Sequence, residues 1–278
     1  MGLSTPLGQY LRARRELVRP EDVGLAKLGR RRVPGLRREE LATLAGISAD
    51  YYLRLEQGRD NHPSPQVIDA LARALKLDEG ATAHLRALSY PATLPARPRP
   101  AASDRAPASI EQLIALWPNT PAFVNNRYLD IVAANGLSIA LNPAFTPGVN
   151  ALRAVFLDPA MRTLFADWEN VAQSAVGRVR ALVGPDVDDP RLTELASELS
   201  SQSPEFRRLW ARHDVLVTPA RSQTFNHPLV GSLRLQIARL AIVGADRQVL
   251  IVKHAEPGSE SERTLARLAA IAGESARA

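Results

Sequence analysis

The chain contains no cysteine. That absence removes disulfides, thiolate metal sites, iron–sulfur clusters and cysteine nucleophiles, and it fits a reducing cytoplasm. Aromatic residues are scarce, at 5% of 278 positions. No run approaches the ~18 uninterrupted apolar residues of a membrane helix. Residues Met1 to Tyr10 lack the apolar core of a signal peptide. Also missing are a Walker phosphate loop, a GxGxxG turn, a G-x-S-x-G elbow and an HExxH helix. His213 and His227 are spaced like no metal-ligand motif, and no cysteine or tight carboxylate cluster assists them. The expectation is a cytoplasmic protein that is not an enzyme and holds no metal.

What is present is a hydrophobic fraction of 45%, enough for real cores, and a net charge of +6. The charge is unevenly placed. Residues 1–90 carry 15 Lys and Arg against 11 Asp and Glu, whereas residues 109–278 carry 17 of each. A basic N-terminal third points to a polyanion partner; double-stranded DNA is one, and the motifs must decide. A GC-rich genome, which codes Arg, Ala and Pro freely, is the bland alternative. Between these parts, residues 91–108 hold five prolines and six alanines with almost no large apolar side chain. Such a segment has no face to bury and reads as a linker. The expected organisation is one domain over 1–90, a linker over 91–108 and a second domain over 109–278.

The first domain reads as all-helical. Leu7, Tyr10, Leu11 and Leu17 lie near helical spacing. Further helices are expected over about Leu36–Ala45, Ser48–Gln57, Pro65–Leu75 and Glu79–Leu88, stopped by Gly46, Gly58 and Pro63. The second domain mixes periods. Ala122–Asn126 and Leu129–Ala134 flank Asn126-Arg127 as a hairpin. Helices follow over about Pro159–Val183, Arg191–Ser201 and Pro204–Arg212. Strand-like runs then cover Asp214–Thr218, Arg221–Asn226, Ser232–Val243 and Gln248–His254, and a helix covers Ser259–Ile271. Leu233, Leu235 and Ile237 alternate with Arg234 and Gln236, as in a sheet with one wet face. The fold class expected is α+β: an all-α helix-turn-helix domain of about five helices and an α+β domain with an antiparallel sheet.

The stretch Arg37–Gly58, RREELATLAGISADYYLRLEQG, carries the function. Ala42 is small where a second helix must cross. Gly46 can take the positive φ of the tight turn. Ile47 pins the turn, and Ser48 is a good N-cap. Leu41, Leu44, Tyr52 and Leu55 fall toward a shared core. This register resembles the Xre/Cro-repressor class of helix-turn-helix proteins, except that Tyr52 stands where Ile or Val is usual.

The neighbourhood Arg30-Arg31-Arg32-Val33-Pro34-Gly35-Leu36-Arg37-Arg38-Glu39-Glu40-Leu41, with Ser48-Ala49-Asp50-Tyr51-Tyr52-Leu53-Arg54-Leu55-Glu56-Gln57-Gly58-Arg59 and Pro63-Ser64-Pro65, resembles the MmyB-like regulators. So do Pro118-Asn119-Thr120-Pro121-Ala122-Phe123, Phe156-Leu157-Asp158-Pro159, Asp167-Trp168, Ser203-Pro204-Glu205-Phe206, Leu209-Trp210-Ala211, His213-Asp214-Val215, His227-Pro228-Leu229-Val230-Gly231 and Pro257-Gly258-Ser259. The resemblance spans nearly the whole chain outside the linker. It implies a sequence-specific transcription regulator whose C-terminal half is a PAS-like domain binding a small apolar molecule, such as a fatty acid.

A recognition helix lies in the major groove with its N-terminal residues toward base edges. Ala49, Asp50, Tyr51 and Arg54 are therefore the candidate base readers. Arg54 suits a bidentate contact to guanine O6 and N7. Its alternatives are a phosphate contact or a pair with Glu56 or Asp50. Asp50 either accepts from a cytosine amino group or favours the helix N-terminus electrostatically. Arg37, Arg38, Ser48 and Arg59 are placed to meet phosphates. Arg30, Arg31 and Arg32 form either a minor-groove arm or a solvated charge run. A homodimer on two half-sites about 34 Å apart is expected.

Trp117, Phe123, Phe156, Phe165, Trp168, Phe206 and Trp210 are candidates to line an apolar pocket, with plain core packing as the alternative. Arg162, Arg178 and His213 are candidate carboxylate anchors. A second reading gives the C-terminal domain only dimerisation or partner docking. An enclosed pocket of roughly 300 Å³ or more would separate the two.

Overall fold

The computed structural model describes residues 5–25, 35–60, 62–90, 105–183, 189–212, 221–245 and 247–275. The chain divides into two compact units. The first comprises Met1–Pro95, Val176–Ala196 and Arg207–Thr218, and the second Ala96–Ala175, Ser197–Phe206 and Pro219–Ala278.

Residues 5–90 of the first unit form α1 (Pro6–Leu17), a 3₁₀ turn (Pro20–Val23), α2 (Arg38–Ala45), α3 (Ala49–Glu56), α4 (Pro65–Ala74) and α5 (Glu79–Ser89). Their starts are written locally. Ser48 Oγ accepts from Tyr51 N, Ser64 Oγ from Val67 N and Asp78 Oδ1 from Ala81 N, each satisfying an orphan helical amide. Gly46 closes α2 at φ 66°, in the left-handed region, and turns the chain into α3. The five helices enclose Leu7, Tyr10, Leu11, Leu36, Leu41, Tyr52, Leu55, Ile68, Leu71, Leu75 and Leu85. The unusual Tyr52 is fully buried, and its hydroxyl reaches Leu11 O at 3.4 Å.

One leucine expected in the core, Leu44, lies outside it, as does Leu17 at the end of the α1 spacing. Leu44 is 37% exposed and Leu17 is 41% exposed. On α2 the buried positions are Leu41, Ala42 and Ala45. At 3.6 residues per turn, Leu44 falls on the flank of that stripe. Leu17 is the last residue of α1, where the helix leaves the core. Helix α2 also begins at Arg38 rather than Leu36. Leu36 N donates to Arg15 O, so tertiary pairing takes the residue that local pattern assigned to the helix.

The second unit holds α6 (Ala108–Ala115), β1 (Ala122–Asn125), β2 (Ile131–Ala134), α7 (Gly136–Leu141), α8 (Ala151–Leu157), α9 (Ala160–Leu164), β3 (Ser222–His227), β4 (Gly231–Ala241), β5 (Val249–His254) and α13 (Glu260–Ser275). Helices α10 (Trp168–Val183), α11 (Pro190–Gln202) and α12 (Pro204–Ala211) are each divided between the two units. The sheet order is β2-β1-β5-β4-β3, and every neighbouring pair is antiparallel. The expected α+β class with an antiparallel sheet is present. Both sheet edges are occupied. Gly148 N donates to Ile131 O on β2, and Ala166 N donates to Thr224 O on β3. Covered edges remove the template on which foreign strands add. One sheet face packs Val124, Ala133 and Leu250 against Ile110, Ile114 and Trp117. The other buries Phe123, Ile131, Phe145 and Ile251.

One local reading is refined. The helix expected over Pro159–Val183 breaks at Phe165–Asp167, because Phe165 pairs as a β-bridge with Phe225. Helices α7 and α8 are too short to show a period, yet each starts on an asparagine cap, Asn135 and Asn150. The strand-like run Asp214–Thr218 lies outside the described residues.

Two predictions follow from the first unit's packing. A Cβ on Gly8 would sit 2.3 Å from Glu56 O, where α1 crosses the end of α3. Gly8→Ala therefore separates the helices and is expected to cost ~1–3 kcal/mol in denaturant unfolding. On α5, His84 packs edge-on to Tyr10, with ring centroids 5.1 Å apart, and burial pushes its imidazole down to about 4. The folded state keeps His84 neutral while the unfolded chain protonates it near pH 6.5. Stability is thus fully present above pH 6.5 and is lost as pH falls toward 4, by about 1–3 kcal/mol. His84→Gln should flatten the thermal midpoint across that window, and an unaltered pH profile would refute the assignment.

Candidate DNA-recognition face and effector-binding interior

Helix α3 buries Tyr52 and Leu55 and turns Ala49, Asp50 and Arg54 to solvent, with Tyr51 half-buried between them. This sorting follows from the helical period: positions 52, 55 and 56 share one stripe, and 50 and 54 share the opposite one. The exposed face is ordered before any ligand arrives. The Arg54 guanidinium pairs with Asp50 one turn earlier and lies 5.5 Å from the centre of the Tyr51 ring. Burial and the Asp60 charge raise the Tyr51 hydroxyl above its ordinary value, so it stays protonated and can donate. Of the two alternative partners considered for Arg54, the structure pairs it with Asp50. Glu56 points the other way.

Glu56 is the residue that sequence reasoning treated only as a helix end. Its side chain is 3% exposed. Oε1 accepts from Arg15 Nε at 3.1 Å and from Nη2 at 2.7 Å, and Oε2 accepts from Arg38 Nε. Arg15 Nη1 completes the set by donating to Leu36 O at 2.8 Å. Burial works against the Arg15 charge, and the bonds and charge of Glu56 more than restore it. Arg38 remains 48% exposed. Arg37 is exposed at the start of α2, where its backbone amide donates to Glu40 Oε2 at 2.7 Å. Arg59 is exposed just past α3, and Ser48 is engaged as its cap. Arg30, Arg31 and Arg32 lie outside the described residues.

In the second unit the expected pocket residues fall into separate groups. Phe156 meets Phe206 at 5.1 Å and Trp168 at 6.0 Å, both edge to face, and Trp168 Nε1 donates to Val155 O. Phe123 stacks on Phe145 at 4.2 Å, and Phe165 tilts against Phe225 at 5.3 Å. Trp117 packs on the opposite sheet face. Trp210 belongs to the first compact unit, where Arg180 lies 3.9 Å from the centre of its ring. Arg162 is a surface cation over Trp168, bonded to Glu205. His213 lies outside the described residues. His227 has both ring nitrogens engaged: Nδ1 accepts from Leu229 N, and Nε2 faces Ala140 O at 3.0 Å.

Sequence reasoning missed Lys253. It is 3% exposed, donates to Gln223 Oε1 at 2.6 Å, and lies 4.9 Å from the Phe225 ring and 5.5 Å from the Phe145 ring. The signal was present in the period. Ile251 and Lys253 are two residues apart on β5, so a lysine occupies the register of a buried isoleucine. A separate open groove of about 780 Å³ runs between the end of α6, the start of α7 and α13. It is lined by Trp117, Leu137, Ala266, Ala269 and Gly273 among others. Of the expected pocket residues, Trp117 alone lines it.

Among the described residues, no helix is long and apolar enough to cross a membrane, and no three His, Asp or Glu side chains gather as metal ligands. Residues 6–85 match a helix-turn-helix domain model, and residues 106–268 match the model of the MmyB-like transcription regulator ligand binding domain. No curated protein matches the chain. The exposed, capped α3 and the sheet-and-helix second unit thus carry both family signatures. The chain belongs to the MmyB-like helix-turn-helix regulators, and it is a DNA-binding transcription regulator with a ligand-binding domain.

Proposed function

We propose that this regulator reads a specific operator with α3 and that a small apolar effector, a fatty acid or similar molecule, modulates the reading from the second domain. Arg54 is the principal base reader, addressing guanine O6 and N7, with Ala49, Asp50 and Tyr51 on the same face. Arg37, Arg38, Ser48 and Arg59 meet phosphates, and Arg30–Arg32 extend that contact. The protein acts in the cytoplasm as a homodimer on two half-sites. The observation that carries the DNA reading is the exposed Asp50–Tyr51–Arg54 face of a helix whose opposite side is fully buried. An interior of paired aromatic rings beside buried Lys253 supports an effector with an apolar body and an acidic end.

Dimerisation or partner docking is the second reading of the C-terminal domain. It is favoured by the open groove and by Leu116, exposed at 76% beside it.

Arg54→Ala is expected to weaken operator binding by ~1–3 kcal/mol while nearly sparing random duplex. Equal losses on both DNAs would remove its base-reading role. Native mass spectrometry of the purified protein tests the effector. A co-purified acidic lipid that Lys253→Met releases is the expected result. A ligand-free dimer, with no rise in thermal midpoint on adding fatty acids, supports the second reading.

A further inference from the structure

Two guanidiniums converge on one buried carboxylate at the end of the recognition helix, and the two are not equivalent. Arg15 is sealed in, 5% exposed, with its Nε and Nη2 on Glu56 Oε1 and its Nη1 on Leu36 O. Its charge is spent inside the protein. Arg38 gives only its Nε to Glu56 Oε2 and keeps 48% of its side chain in solvent. Arg15 Nη2 also lies 3.7 Å from Glu16 Oε1, so the Arg15 charge is met within the domain, and the outward fork of Arg38 is the part of the cluster that faces solvent. A guanidinium held by its Nε cannot swing. Its two Nη groups are presented in one plane, in the geometry that suits two oxygens of a phosphate. Arg38 is also the first residue of α2, the helix that lies against the DNA backbone when α3 enters the groove.

We infer that Glu56 is a positioning residue for DNA binding: the buried carboxylate, neutralised by Arg15, fixes Arg38 as a preoriented fork for one backbone phosphate. The inference rests on the DNA-reading function proposed above and adds a division of labour. Arg15 serves the fold, Arg38 serves the phosphate, and Glu56 couples them. Arg37, one residue earlier and outside this cluster, lacks such a hold and acts as a diffuse charge.

The test uses the full chain and a random-sequence 30-base-pair duplex, because a phosphate contact is independent of sequence. Affinity is followed by fluorescence anisotropy from 50 to 300 mM salt. Arg38→Ala removes one contact, so the slope of log affinity against log salt should shrink by roughly 0.9, and affinity at 100 mM salt should fall roughly five- to tenfold. Arg38→Lys is the discriminating variant. An ammonium has no planar fork that can be held by one edge on Glu56 and aimed at two phosphate oxygens with the other, so the lysine should lose most of what alanine loses despite keeping its charge. Both variants leave Glu56 paired with Arg15 and therefore folded. Glu56→Gln, where it folds, should lower the slope as Arg38→Ala does, with no further fall in the double variant. Arg38→Lys with the slope of the unsubstituted protein would show that the charge needs no positioning, and the inference fails. An unchanged slope for Arg38→Ala would put the residue away from DNA, with the same consequence. An unsubstituted protein that binds the duplex without salt dependence would instead bring down the DNA-reading function itself.

Discussion

The DNA-binding unit depends on one carboxylate. Glu56 ends the recognition helix, lies out of water, and is bonded to Arg15 on α1 and Arg38 on α2. Three helices are therefore fixed through one side chain. Gly8 lets α1 approach the Glu56 backbone at the same crossing, so close packing and charge pairing reinforce one another. A buried carboxylate without partners would be costly, and removing Arg15, its buried partner, would cost about 3–5 kcal/mol. The arrangement is economical because the same bonds that satisfy the charge also set the angle at which α3 leaves the body of the domain.

The two halves of the chain solve their boundary problems differently. The helical domain uses local chemistry: serine or aspartate caps at α3, α4 and α5, and a left-handed glycine between α2 and α3. The sheet of the second unit uses neighbours. Its two edge strands are closed by backbone bonds from the segments around Gly148 and Ala166. Asn126 in turn satisfies the backbone of its own turn. Asn126 Oδ1 accepts from Tyr128 N and Asp130 N, which holds the β1–β2 hairpin while Leu129 takes a positive φ of 64°. A sheet sealed in this way presents side chains to partners, not backbone, which suits a domain that binds a small molecule.

Much of this was legible from residues alone. The spacing of Ala42, Gly46, Ile47 and Ser48 placed the tight turn and the start of the recognition helix, and both stand as read. The alternation of Leu233 and Leu235 with Arg234 placed β4 and its wet face. Less was legible where a position depends on distant chain. Leu44 carries an apolar side chain at near-helical spacing yet lies on the flank of α2. Phe165 sits in a helix-like run and pairs with β3 instead. The aromatic residues read as one pocket fall into separate groups: Phe156, Trp168 and Phe206 together, Phe165 against Phe225, Trp117 and Phe123 on opposite sheet faces, and Trp210 in the first compact unit.

By itself the sequence determined the elements, because caps, turn glycines and apolar periods act within a few residues of the chain. It determined the family as well, since the motifs that carry it are contiguous runs. Tertiary structure alone decided which charges are buried and with whom. Arg15 and Glu56 are 41 positions apart, and Lys253 and Gln223 are 30 apart. No local period links such pairs. The free energy that fixes them is desolvation of a charge balanced by a partner that only the folded chain brings near.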